Sequence, residues 1–218
     1  MVNKLPRWVE FGSFFLSALA GIVNAVALRG FEHQSVSHLS GVATKLGVEL
    51  LKFDSYSFHL FLILISFLMG SAISGYLIES AALKLGRHYS FALFIEGLFL
   101  IISMFALLNG LSIGHYFASA ACGLQNAMVT SYSGAIIRTT HVTGIFTDLG
   151  LMIGAWFKGQ KLDKRKSLLF TLIIFGFILG GTLGATVFTY LNYMTLGIPA
   201  MMAITMAILY DNYIHKKH

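Results

Sequence analysis

Four long stretches of this chain contain no Asp, Glu, Lys or Arg: residues 11–28, 55–78, 97–137 and 167–210. A helix that spans a bilayer needs about 20 apolar residues, so the first two stretches hold one span each and the last two hold two each. Asn109-Gly110 and Asn192-Tyr193 supply turn-forming residues where the longer stretches must bend. Soluble domains carry about 25% charged residues; this chain carries 11%, with 56% hydrophobic residues and a mean hydropathy of +0.77. Too few charges remain to coat a water-facing globule. No run alternates with period two as a membrane barrel would. The 22 glycines and 19 phenylalanines suit helices that pack through small residues and turn bulky ones to lipid. The expected class is an all-α integral membrane protein, residues 1–218 as one membrane domain, with six transmembrane helices.

A single cysteine, Cys122, excludes a disulfide framework and a thiolate metal cluster. The net charge of +6 resides in short connections between apolar runs, where it reads as a topology signal rather than a nucleic-acid surface. Residues 1–9, with Lys4 and Arg7, resemble the start of a signal peptide, but no small-residue cleavage pattern follows. They are read as the approach to the first helix.

Two further segments, 37–52 and 140–158, are apolar but short and interrupted by Lys45, Glu49 and Asp148. They match each other. Ser37-His38-Leu39-Ser40-Gly41-Val42-Ala43-Thr44-Lys45-Leu46-Gly47 and Thr140-His141-Val142-Thr143-Gly144-Ile145-Phe146-Thr147-Asp148-Leu149-Gly150 share His, Gly, Thr, Leu and Gly. Upstream, Gly21-Ile22-Val23-Asn24-Ala25 matches Gly123-Leu124-Gln125-Asn126-Ala127; downstream, Phe67-Leu68-Met69-Gly70-Ser71 matches Phe177-Ile178-Leu179-Gly180-Gly181. The matches keep their order, so the chain reads as a duplicated unit, with repeat one at 8–109 and repeat two at 110–214.

Basic residues set the orientation. Lys4, Arg7, Lys84, Arg87, the run from Lys158 to Lys166, Lys216 and Lys217 mark the cytoplasmic side, and the two Asn-containing turns, which carry no basic residue, mark the outside. On this trace the segment from Thr140 begins and ends inside, and that from Ser37 begins and ends outside. Both are therefore re-entrant or broken segments. Three spans per unit is an odd number, which makes a 3+3 inverted repeat with both termini cytoplasmic. If both short segments spanned, eight helices and a parallel repeat would result instead.

Inverted repeats with broken helices near the midplane are a recurrent design of secondary transporters. The expected substrate site comprises Asn24, His38, Ser40, Gly41, Thr44, Gln125, Asn126, His141, Thr143, Gly144 and Thr147. Hydroxyls followed by glycine at two half-helix N-termini favour a polar, anionic or strongly dipolar solute. The bland alternative is that the hydroxyls cap, the amides bond between helices, and the glycines permit close packing. His38 and His141 are candidate proton carriers or solute donors. Lys45 and Asp148, equivalent positions of opposite charge, are a candidate ion pair. Glu96, a charge inside a span, is a candidate coupling residue. Two histidines without a neighbouring carboxylate or thiolate make no metal site, and no cofactor is expected. No Ser/His, paired-Asp or His-Glu-x-x-His arrangement supports an enzyme.

The motif Gly123-Leu124-Gln125-Asn126-Ala127, followed by Arg138-Thr139-Thr140-His141-Val142-Thr143-Gly144 and Leu149-Gly150, resembles the YoaK-like family of small bacterial integral membrane proteins, a domain of unknown function. The resemblance extends over nearly the whole chain. Where relatives usually show Thr-Gly-Asn, this chain has Ser40-Gly41-Val42. The resemblance implies a multi-pass inner-membrane protein and supplies no substrate. The expected function is a small secondary transporter or channel for a polar solute. The competing expectation is a structural or partner-binding membrane protein whose small-residue stripes drive homo-oligomerisation, its environment being the lipid bilayer.

Overall fold

The computed structural model describes residues 6–30, 34–52, 54–78, 88–133 and 137–216. Lys4, Lys84, Arg87 and Lys217, used above as topology marks, lie outside the described residues. Within them the chain is all helical: α1 (Trp8–Arg29), α2 (Leu39–Glu49), α3 (Ser55–Leu77), α4 (His88–Leu108), α5 (Ile113–Ser133), α6 (Val142–Phe157), α7 (Lys164–Leu191) and α8 (Gly197–His215), with a 3₁₀ turn (Asn192–Leu196) before α8. Asp54 and Asp163 cap α3 and α7, accepting from the backbone N–H of Ser57 and Lys166 at 2.9 and 3.0 Å. The chain turns at Asn109-Gly110 and at Asn192 as the sequence requires. Gly110 and Asn192 adopt φ of +72° and +49° there, a backbone region that glycine and asparagine tolerate best.

Four segments are long and apolar enough to cross a membrane: Trp8–Arg29, Ser55–Leu77, His88–Leu108 and the continuous Lys164–His215. The remaining long helix, α5, carries Gly, Ser, His, Gln and Asn and buries most of them, including Ser119 and Gln125, inside the protein. Its lower hydropathy follows from that central position.

Helix pairing crosses the two repeats. The principal partner of α1 is α7, that of α3 is α5, and α4 packs on both α5 and α8. Side-chain-free crossings make this possible. A Cβ at Gly21 would strike the Phe177 carbonyl and one at Gly180 the Ala18 carbonyl, while Gly123 and Gly70 stand in the same way against Phe67 and Ala120. These are the residues that matched in sequence. The Gly-x-x-Asn-Ala and Phe-x-x-Gly motifs are the two sides of one helix crossing, made twice.

Contacts along the crossings give directions. Phe14, Ala18 and Ile22 meet Gly176, Gly180 and Gly184 in the same order, so α1 and α7 run parallel. Ser119 Oγ donates to the Ile63 carbonyl and Ser71 Oγ to the Gly123 carbonyl at 2.9 and 3.1 Å, so α3 and α5 run parallel too. By contrast α1 is antiparallel to its counterpart α5, with Trp8 on Tyr132 and Leu16 beside Gln125. α4 is antiparallel to α8, with Ser90 near Asp211 and Gly97 against Ile204. One end of the bundle, the basic end, gathers Trp8, Tyr89, Tyr132 and Tyr213 with the Glu10–Arg165 ion pair at 2.8 Å; the two Asn-containing turns lie at the other.

Candidate functional site

The polar interior is built around the connections that precede α2 and α6. After α1 ends at Arg29, residues 34–38 lie back along it. Asn24 donates through Nδ2 to Ser37 Oγ at 2.5 Å and accepts at Oδ1 from Ser35 Oγ at 2.6 Å and from the Ser37 amide at 3.3 Å. Ser119 Oγ, shared with α3, also reaches the Val36 carbonyl at 3.0 Å. The His38 ring then rests on Phe177, 5.7 Å between centroids, and burial pushes its pKa below the usual imidazole value. From there α2 leads to Glu49, whose carbonyl accepts from Ser57 Oγ at the start of α3.

The second copy is looser. Gln125 donates through Nε2 to the Leu16 carbonyl at 2.9 Å, and Thr139 Oγ1 reaches Gln125 Oε1 at 3.5 Å. Asn126, the counterpart of Asn24, has no partner for its Oδ1 among the described residues. His141 stands next to Arg138, 3.2 Å from its guanidinium. Asn24 and Gln125 are thus anchors of chain segments, which is the amide role weighed above as interhelical bonding.

The two short helices do not form one site. α2 packs on α3 and α6 on α7, with no contact between α2 and α6 among the described residues. Val42 and Ile145 are their only buried residues. Ser40, Gly41, Thr44, His141, Thr143 and Thr147 are exposed and Gly144 is half-buried. Thr44 and Thr147 hydroxyls turn back to the carbonyls of Ser40 and Thr143 in their own helices. Nor do the expected charges pair. Lys45 is exposed, and Asp148 approaches Lys166 at 3.9 Å, both half-buried. The lengths of α2 and α6 and their single apolar anchors explain this: each has one face for its neighbour and none left for the other.

Glu96 lies deeper than any other described acidic residue. On α4 it is 1% exposed, and neither carboxylate oxygen has a hydrogen-bond partner among the described residues. One helical turn away, Leu93 forms part of the wall of a cavity of about 380 Å³ at the basic end, between α1, α4, α5 and α8. Trp8, Phe15, Tyr89, Tyr132, Tyr210 and Tyr213 supply aromatic walls, Ser13 a hydroxyl, and Leu16, Met128 and Met206 the apolar floor. Sequence reasoning missed this site. Its only signal was aromatic residues near helix ends, which also describes an ordinary interfacial belt. Among the described residues no three His, Cys, Asp or Glu side chains gather as a metal site.

The equivalent positions at the two ends differ among the described residues. Gly12 and Gly114 are equivalent at the same spacing of 102 residues that relates Gly21 to Gly123. At Gly12 an added Cβ would meet only Trp8 of its own helix, at 3.9 Å; at Gly114 it would run into Leu107 and stand 2.8 Å from the Ser103 carbonyl. Ser103 Oγ donates to the Gly114 carbonyl at 2.7 Å, so α4 and α5 are clamped near their turn.

A family model described as "Protein of unknown function (DUF1275)" matches residues 12–209. The chain belongs to that family. Comparison with curated proteins and with solved structures finds no match. The DUF1275 match runs from α1 into α8 and takes in twelve of the sixteen residues that line the cavity.

Proposed function

We propose that this chain is a small secondary transporter of the inner (plasma) membrane, an inverted 3+3 repeat with both termini cytoplasmic and α2 and α6 as re-entrant segments from opposite faces. The antiparallel course of α1 against α5 and of α4 against α8 supports the inversion. The return of residues 34–38 to Asn24 supports re-entry. The solute path runs between α1, α4, α5 and α8 rather than between the two short helices, and Glu96 is the coupling residue at its inner limit.

One observation carries this reading: two equivalent glycines, Gly12 bordering a cavity and Gly114 packed shut. Inverted repeats exchange conformations between their halves during alternating access, so one open and one closed end is the form such a protein takes at rest. The test uses Cys122→Ala as a cysteine-free background. Ser13→Cys, in the cavity wall, reacts with a membrane-impermeant maleimide from the cytoplasmic face of sealed vesicles, while its counterpart His115→Cys reacts from neither face. Labelling of Ser13→Cys from neither face overturns the proposal. Simultaneous labelling of both positions from opposite faces makes the protein a channel.

A second reading, a partner-binding oligomer without transport, draws support from α2 and α6, each of which buries a single residue. It requires those faces to be covered by another chain.

A further inference from the structure

We infer that the basic-end cavity is a binding site for a small organic cation, an amine or quaternary ammonium with an apolar body. This deepens the transport reading and rests on it for its biological meaning, though not for its test. The cavity's volume of about 380 Å³ falls at the small end of ligand pockets. Among the described residues its wall contains no Lys, Arg, His, Asp or Glu, and six of the sixteen that line it are aromatic. An anion entering it would lose its hydration and find no cationic side chain among the described lining residues. A cation would meet the negative faces of Trp and Tyr rings, the groups that replace water for alkylated ammonium ions.

Two polar features point the same way. Tyr89, 7% exposed, lines the cavity, and its hydroxyl has no partner among the described residues; its oxygen lone pairs can accept from an amine N–H or face the positive head of a quaternary ammonium. Glu96 lies on the same face of α4 as Leu93, one turn further in, and its two oxygens are unpartnered. An ammonium head between Tyr89 and the Glu96 level would have aromatic rings around its methyl or methylene groups and a carboxylate beyond them. The two half-helix N-termini suggest a polar, anionic or strongly dipolar solute; the cavity wall favours a cation.

Trp8 makes the site readable. The chain has two tryptophans, and Trp156 sits exposed on α6, away from the cavity wall. In a Trp156→Phe background the only tryptophan fluorescence comes from the site. The full chain in phosphatidylcholine nanodiscs is titrated with benzyltrimethylammonium, with its neutral carbon isostere neopentylbenzene, and with benzoate. The expected result is a saturable Trp8 response to the cation, about tenfold tighter than for the isostere, and none to benzoate. Tyr132→Phe keeps the ring and leaves binding within about twofold, whereas Tyr132→Leu and Glu96→Gln each weaken it about tenfold. Both must elute as monodisperse helical protein, and Tyr132→Phe guards against a fold defect. Equal or tighter binding of neopentylbenzene overturns the inference and makes the cavity a lipid or apolar-ligand pocket. Binding of benzoate, or no response to the cation, overturns it as well. Equilibrium binding needs no translocation, so refusal of the cation leaves one-sided labelling of Ser13→Cys intact. Loss of that labelling with cation binding preserved would sink transport alone.

Discussion

Replacing Gly70 with alanine tests whether the crossed pairing of the repeats holds the molecule together. At Gly70 a Cβ would stand 2.7 Å from the Ala120 carbonyl carbon and 2.8 Å from its Cα, closer still to the oxygen. The obstruction is helix backbone, which cannot rotate away as a side chain can. α3 and α5 would have to part by about 1 Å to restore ordinary carbon–carbon separations. That opening would also stretch the bond from Ser71 Oγ to the Gly123 carbonyl, now 3.1 Å. Overpacking of this kind costs about 1–3 kcal/mol, and a backbone obstruction belongs at the upper end. For a chain of this size the fall in Tm is roughly 5–10 °C. Gly75 provides the internal control, because it lies on the same helix with nothing within 4 Å of its would-be Cβ. There, alanine gains helix propensity of up to about 1 kcal/mol and Tm holds or rises. Thermal unfolding of both variants in one detergent, followed by circular dichroism and by monodisperse elution after heating, measures the difference. Equal Tm values for Gly70→Ala and Gly75→Ala would refute the crossing as a structural determinant.

Asn24→Ala should lower stability by about 2–4 kcal/mol, since it strips partners from Ser35 and Ser37 in a buried network, while Asn126→Ala, whose Oδ1 has no partner, should cost about 1 kcal/mol or less; denaturation of the two variants side by side decides it. Glu96→Gln should keep the fold and at least the original Tm, because it replaces a buried carboxyl that nothing pairs with a neutral amide of the same shape, and should abolish the pH dependence of solute uptake in proteoliposomes; unchanged dependence would remove Glu96 from coupling. At the start of α3, the Ser57 amide holds the Asp54 carboxyl below its usual pKa. A depressed folded-state pKa means the cap contributes above the ordinary value of 3.8 and is lost as pH falls below it. Amide exchange at residues 55–58 should therefore quicken in acid in the parent and be independent of pH in Asp54→Asn once intrinsic exchange is subtracted.

Helix positions and turns were legible because each depends on local pattern: charge-free length and Asn-Gly at the bends. Crossed pairing was not legible. Gly21 and Phe177 are far apart in sequence, and nothing in either motif says whether it packs on its own repeat or on the other. The same limit bears on the expected convergence of the two short segments. The most conspicuous matches, 37–47 and 140–150, suggested convergence, yet a match fixes equivalence and not contact, and α2 and α6 use their one apolar face on α3 and α7. The cavity escaped notice because Trp8, Tyr89, Tyr132, Tyr210 and Tyr213 are scattered over four helices and come together only at the basic end.

The pattern of identity between the repeats follows from what each position touches. A contact that crosses from one repeat to the other is made twice, so its residues must suit both copies. Gly21 with Gly123, Gly70 with Gly180, Ala18 with Ala120 and Phe67 with Phe177 are the same residue types, all at the two parallel crossings. Ser17 and Ser119 are also identical, but only Ser119 finds its acceptors, Val36 and Ile63, while Ser17 Oγ has none among the described residues. Positions that face the two ends of the bundle have no such constraint. Ser13 in the cavity wall corresponds to the buried His115, which stacks edge-on to His59 at 5.5 Å near the clamped turn. Lys45 corresponds to Asp148. Symmetry in the crossings with divergence at the ends is what a duplicated protein needs if its halves must share one scaffold while its two ends do different work.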